Sequence, residues 1–437
     1  PMTAEDDAMY SAYQVLNHTT ANFTPYVGSP PVVGVNFHDQ EFDDWSNHTG
    51  TLTPGEGYLV RPSYTAGGTY NYVYDQGTLN NGVVTYPAYF GVDKEDSPNV
   101  LSNPYASAID ADLFIGANPI VDELYFWEHL TTPNAGIPGP LGENFSMEDI
   151  SMYNLSGGTP AANGGGTPNH VISTGQGFGI KAISAGDVTF NNSMRLTSGN
   201  TTLRRPIEKD RIWLTVRDSQ YHMGSTTLIG FMETASSGYD EGYDSMKLGT
   251  VVSLYSHLED GTEILGIQGR ESFDTNIQIP MGFSTMIDPD SAIPYTISIS
   301  AIEGSNIEQA TVYLVDHQEN TVTNLSEGDY TFLSDAATYN NRFTLQFEPE
   351  VILGTSENDL EQISIYPNPT QDVLTIVSPQ AEFTSVLVYD LRGRVVDEKS
   401  FTTQGTYQIE LSKLETAVYF VEITTESGTL TKRVVKQ

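Results

Sequence analysis

An all-β protein, built of tandem β-sandwich or jelly-roll modules and ending in a small immunoglobulin-like sandwich, is what this chain predicts. Three features carry that expectation. Short runs rich in β-branched and aromatic residues recur along the 437 residues, and clusters of Gly, Pro, Asn and Asp separate them. The turn-forming residues are abundant, with 39 Gly and 23 Pro, which suits many short strands better than a few long helices. No long amphipathic helix can be traced by a 3.6-residue period.

In chain order, the first clear element is Gly55-Glu56-Gly57-Tyr58-Leu59-Val60-Arg61. Its two glycines permit a tight bend, and alternating aromatic and aliphatic residues then lead into a strand. Tyr70-Asn71-Tyr72-Val73-Tyr74 follows with three tyrosines on one face, expected to form a cross-strand ladder. Short helical turns are expected at 106–114 and at 147–153, the latter capped by Ser146. The first element then returns 120 residues later as Gly175-Gln176-Gly177-Phe178-Gly179-Ile180-Lys181, followed by the run Asp187–Asn191. This echo reads as two related β-modules. Further strands are expected at Arg211–Val216, Tyr295–Ile299, Thr311–Val315 and Phe343–Phe347. Turn-rich breaks place modules at 1–97, truncated at its start, 98–205 and 206–355, with a polar linker at 356–362 before a terminal domain at 363–437.

The charge is lopsided. Asp and Glu number 56 against 19 Lys and Arg, a net charge of −37. Before residue 181 the only basic residues are Arg61 and Lys94. Such a surface repels phosphate backbones and anionic lipids, so neither nucleic acid nor a membrane surface is an expected partner. The chain has no cysteine, which removes disulfides, thiolate catalysis and cysteine metal sites. No run of eighteen apolar residues predicts a transmembrane helix. Pro1-Met2-Thr3 opens no export-signal pattern, so the sequence is expected to be an excerpt or a processed form.

Catalytic signatures are lacking. There is no G-x-S-x-G elbow, no H-E-x-x-H and no phosphate-binding loop, and the eight histidines show no ligand spacing. The chain is therefore expected not to be an enzyme. Calcium is the expected cofactor, because hard cations take clustered carboxylates and loop carbonyls. Two clusters are candidates: Asp39 and Asp43, beside Glu41 and Asp44, and Asp240, Glu241 and Asp244, broken by Gly238 and Gly242. Exposed aromatic faces stack on sugars, so a glycan or protein ligand is an expected partner. Trp213, alternating with Ile212 and Leu214, and the pair Phe126-Trp127 read as core residues.

The last stretch is the most specific. Tyr366-Pro367-Asn368-Pro369 forces a turn at entry, since neither proline can donate a ladder hydrogen bond. Strands are expected at Asp372–Ser378, Ser385–Tyr389, Arg394–Lys399, Val418–Thr424 and Leu430–Val435, about six or seven in all. Asp390-Leu391-Arg392-Gly393 suits a type I turn continued by a left-handed glycine, with Arg394 opening the next strand. Tyr419, Val421 and Ile423 share a face, and the end is basic, with Lys432, Arg433 and Lys436. This order of motifs resembles the type A C-terminal sorting domain of the type IX secretion system of Bacteroidota. The family usually has Gly where Ala417 stands, and Ala is tolerable there only if φ stays negative.

The resemblance implies export across the outer membrane, with the translocon, an outer-membrane shuttle and a sortase as partners, and a secreted or cell-surface location. Leu101–Asp110, Phe190–Arg195 and Gly238–Asp244 resemble stretches upstream of sorting tails in adhesin-like surface proteins of the same phylum. The expectation is thus the C-terminal part of a secreted adhesin-like protein, with non-catalytic β-modules. The alternative is the ancillary, carbohydrate-binding end of an extracellular hydrolase whose catalytic domain lies upstream.

Overall fold

The computed structural model describes residues 14–25, 39, 41–61, 78–134, 137, 145–196, 209–258, 261, 263–288, 292–347, 364–366, 370–425 and 428–437. Two compact units emerge, Pro1–Pro349 and Glu350–Gln437.

The centre of the first unit is an eleven-stranded sheet formed by residues 210–346. Its strand Asp210–Asp218 shows why period-two patterning works. Ile212, Leu214 and Val216 face one core with Phe283, Tyr295, Phe332 and Phe343, while Trp213 faces the other way. The sheet curls towards closure. Tyr330, on a strand at one end of the order, donates from its hydroxyl to Asp316 near the other end at 2.8 Å. Asp316 also accepts from Arg342 Nε at 3.0 Å and Nη2 at 2.9 Å, and the guanidinium lies 4.4 Å over the Phe332 ring. A charge buried this deeply is tolerable only with such a partner.

The earlier residues form a five-stranded sheet in the order Pro98–Ser102, Gly177–Lys181, Leu124–Trp127, Ile150–Asn154 and Gly157–Thr159. The boundary expected at residue 97 does not separate two modules here. Val84–Ala88 pairs with Gly186–Phe190 across it. The two echoed segments instead flank a single strand. Gly177–Lys181 pairs with one edge of Pro98–Ser102. On the other edge Gly57 N donates to Val100 O at 2.9 Å and Ser102 N to Gly55 O at 3.0 Å. Gly57 is required there, because a Cβ would meet Leu101 O at 2.5 Å. The repeat thus marks two β-edges docking on one template.

The helix at Ala111–Ala117 begins later than expected, where Asp110 caps it by accepting from Leu113 N. Ser146 caps the turn Met147–Asp149 as expected, accepting from Glu148 N. The Tyr70–Tyr74 ladder and the 356–362 linker lie outside the described residues. The expected break at 205/206 falls between two sheets that interlock. Trp213 packs with Tyr125, Met152, Leu228 and Ile267 and donates to Gly158 O at 2.8 Å. Asn154 Nδ2 donates to Tyr243 O at 2.9 Å, and Leu155 N to Gly242 O at 2.8 Å.

The second unit has its own sheet and its own core. Five strands, Ser364–Tyr366, Val373–Tyr389, Val395–Glu410, Val418–Thr425 and Gly428–Val435, make it. Among the described residues the expected six or seven are five, because two strands run through both halves. Residues 373–378 pair with Ser364–Tyr366 and with 405–410, whereas 385–389 pair with 395–400 and with Val418–Thr425. Leu374, Ile376 and Ile409 from one half meet Val386, Val388, Tyr419, Val421 and Ile423 from the other, the interior of a sandwich.

Candidate functional sites: a buried lysine cluster, an aromatic surface and the sorting tail

The densest chemistry sits at one end of the five-stranded sheet, where the few upstream cations collect. Lys94 Nζ lies 2.7 Å from Asp122 Oδ2 and 2.8 Å from Glu123 Oε1. Asp122 and Glu123 are 2% and 0% exposed and directly precede the strand Leu124–Trp127. Glu123 also accepts from the Tyr125 hydroxyl. Among the described residues Asp122 Oδ1 has no hydrogen-bond partner. Lys181, buried at the end of its strand, pairs with Glu95. The loop carrying Lys94 is rigid by construction. Asp93 Oδ1 accepts from the amides of Glu95 and Asp96 at 2.8 and 3.2 Å, and Ser97 Oγ accepts from Gly91 N at 2.9 Å.

The electrostatics follow from the geometry. Burial pulls the Lys94 ammonium down, but the charges of Glu123 and Asp122 outweigh it and hold the group well above its ordinary range. Burial, then the Glu123 charge, push the Asp122 carboxyl up to about 7 against the pull of Lys94. Glu123 goes the other way, since Lys94 and its hydrogen bonds overcome burial. Lys181 is lowered by burial, with Glu95 opposing. Two adjacent carboxyl groups beside one amine are thus held in different protonation preferences.

A second feature is an exposed aromatic surface. Phe126 is buried, but Trp127, expected in the core, is 41% exposed. It stacks on His129 with ring centroids 5.2 Å apart and meets Phe145 edge-on at 5.2 Å. The loop after Trp127 is fixed from below by buried Asp149, which accepts from Leu130 N at 3.1 Å, Thr131 N at 2.8 Å and Asn163 Nδ2 at 2.7 Å. A rigid aromatic face held open to solvent can stack on a flat apolar ligand surface. The reading of Trp127 as core failed because a strand's final residue can point past the edge of its partner sheet. Trp213 is buried as expected.

The sorting motifs have distinct structural roles. Asp390 to Arg394 forms the expected turn. Gly393 has φ +76°, Gly393 N donates to Asp390 O at 2.9 Å, and Asp390 Oδ1 accepts from Arg392 N and Arg394 N at 2.8 and 3.0 Å. Arg394 returns an ion pair to Asp390 at 2.7 Å. Tyr366 pairs with Thr375, while Pro367, Asn368 and Pro369 lie outside the described residues. Tyr419 is buried and donates to Glu415 O at 2.9 Å. The basic end divides: Lys432 is exposed, whereas Lys436 is buried and donates to Gln371 O at 2.5 Å. Ala417 is not among the described non-glycine residues with positive φ, so the substitution is accommodated.

Residues of both expected calcium clusters are drawn into hydrogen bonds with nearby backbone amides. Asp39 is buried, and its oxygens accept from Thr24 N at 2.7 Å, Glu41 N at 3.2 Å and Asp43 N at 3.1 Å. It organises a turn. Asp43 is exposed, as is Glu241. Asp244 accepts from Asp240 N at 2.7 Å and Gly269 N at 2.8 Å, and Asp240 accepts from Ser236 N at 2.5 Å. Among the described residues no three His, Asp or Glu side chains converge to hold a metal.

Sequence reasoning missed the Lys94 cluster, although the signal was present. A cation that is nearly alone in an acidic stretch is a strong candidate for a buried partner role. Likewise, among the described residues no helix is long and apolar enough to cross a membrane.

Comparison with known proteins gives the following. Residues 364–437 match the secretion system C-terminal sorting domain, which makes the chain a cargo of the type IX machinery, exported across the outer membrane to the cell surface or beyond. No curated protein matches the chain. Among solved structures, dimeric latent PorU from Porphyromonas gingivalis is similar at 11% identity over 57% of this chain and 31% of its own, with a TM-score of 0.17. The BSP domain of a biofilm-associated protein is similar at 12% identity over 85% and 84%, with a TM-score of 0.16. The match over residues 7–347 is to a domain of unknown function (DUF8693), and the chain belongs to that family, with a type IX sorting tail at its end.

Proposed function

We propose that residues upstream of the tail form a non-catalytic, adhesin-like display scaffold that the sorting domain delivers to the cell surface. The observation that carries this reading is the division of labour in the fold. The tail has a separate sheet and core, and upstream the buried Asp122, Glu123, Arg342 and Asp244 are engaged in ion pairs and hydrogen bonds to nearby backbone. Strong acidity keeps such a surface soluble and repels like-charged polymers. The translocon, shuttle and sortase are the partners of the tail in this reading. The test is export of a fluorescent protein carrying a periplasmic signal and residues 354–437 in a type IX host. Surface delivery supports the reading, and retention in the periplasm refutes it.

A second reading, a carbohydrate-binding region serving an extracellular hydrolase, draws on the Trp127–His129–Phe145 surface. Aromatic faces bind sugars by stacking, and the buried Asp149 beneath holds this one in place. Binding on a glycan array that disappears in Trp127→Ala supports it; a blank array for the wild-type chain removes it.

A further inference from the structure

Beyond the display reading, we propose that Lys94 and Asp122 join in an intramolecular isopeptide bond, with Glu123 as the proton carrier. The geometry points to this reaction in three respects. The amine nitrogen is within 2.7 Å of a carboxyl oxygen of Asp122 and 2.8 Å of a second carboxylate, that of Glu123. Both carboxyl groups are buried, and among the described residues the Asp122 oxygen facing away from Lys94 has no partner. The amine is carried on a loop locked by the Asp93 and Ser97 hydrogen bonds. The reacting groups are thus already brought together, which removes the orientational cost that makes amide formation slow between free molecules.

The step balances without any cofactor. Lys94 Nζ attacks Cγ of Asp122. The N–Cγ bond forms, and one Cγ–O bond breaks. Two of the three ammonium protons leave with the departing oxygen as water, one of them passed through the Glu123 carboxylate, which ends as it began. Nothing is oxidised or reduced. The two carboxylates hold Lys94 as the ammonium at rest, so transfer of a proton from Nζ to Glu123 precedes the attack, and burial limits return of the water needed for hydrolysis. The upward displacement of Asp122 to about 7 favours its neutral acid form. The product ties the loop between Val84–Ala88 and Pro98–Ser102 to the residues just before the strand Leu124–Trp127.

The experiment is intact mass spectrometry of the purified full chain in denaturant, followed by peptide mapping. The expected result is a mass short by one water and a branched peptide joining Lys94 to Asp122. Glu123→Gln, which keeps the side-chain volume but cannot carry the proton, is expected to retain the full mass while folded. Lys94→Arg, which keeps the positive charge but cannot form the amide, serves as the second variant and is also expected at full mass. Folded wild-type protein at its full sequence mass overturns the proposal. So does a missing water mapped to any other pair, including Lys181 with Glu95.

Discussion

Trp213 is where two sheets of the first unit are coupled, and its removal has a calculable effect. The ring is 6% exposed and packs on Tyr125 and Met152 from one sheet and on Leu228 and Ile267 from the other. Truncation of a buried tryptophan to alanine costs about 3–5 kcal/mol through lost contacts and a residual cavity. The indole N–H also donates to Gly158 O, and Gly158 is itself buried. Leaving that carbonyl unpaired adds about 1–3 kcal/mol. Trp213→Ala is therefore expected to lose roughly 5 kcal/mol, a large share of the ~5–15 kcal/mol typical of a folded domain. Trp213→Phe keeps most of the packing and should lose about 1–3 kcal/mol, chiefly the hydrogen bond. Urea unfolding followed by circular dichroism, with calorimetry beside it, measures both. The coupling also predicts that the alanine variant unfolds in two steps where the wild-type unit unfolds in one. A loss below about 1 kcal/mol for Trp213→Ala, or equal losses for the two variants, would refute the reasoning.

Three further outcomes are expected. Burial pushes Asp244 up from 3.8 to about 7 against the amides of Asp240 and Gly269; a raised acid favours the folded state most below its unfolded value, so this contribution fades as pH climbs from 3.8 through about 7, and Asp244→Asn should flatten that part of a Tm-against-pH curve. Gly393 has φ +76° and open space where a Cβ would stand, so Gly393→Ala should cost about 1 kcal/mol from backbone strain alone and Gly393→Asn less, read from the tail's transition in chemical denaturation. Because the oxygens of Asp39 and Asp244 face amide donors, calcium and a chelator are expected to leave Tm unchanged; a rise of several degrees with calcium would show that these loops rearrange around an ion.

Much of the fold was legible because period-two burial is local. Asp210–Asp218 and Val418–Thr425 bury the residues that their alternation nominates. The Asp390–Gly393 turn was legible for the same reason, since its hydrogen bonds lie within five residues. The module boundaries were not, because partnership between Val84–Ala88 and Gly186–Phe190 spans about a hundred residues and leaves no local trace. The role of the acidic clusters was not legible, because carboxylates that cap turns and carboxylates that hold ions look alike in one dimension. The Lys94 site depends on side chains from distant loops, and only the scarcity of basic residues hinted at it.

The final residues of the tail return to where that domain begins: Thr370 N donates to Val435 O, Gln437 N donates to Thr370 O, and Lys436 reaches Gln371 O. Entry and exit of the domain therefore share one clasp. An affinity tag fused after Gln437, or a cut of two residues, disturbs the clasp and the signal together, so export assays are best served by labels placed ahead of Ser364.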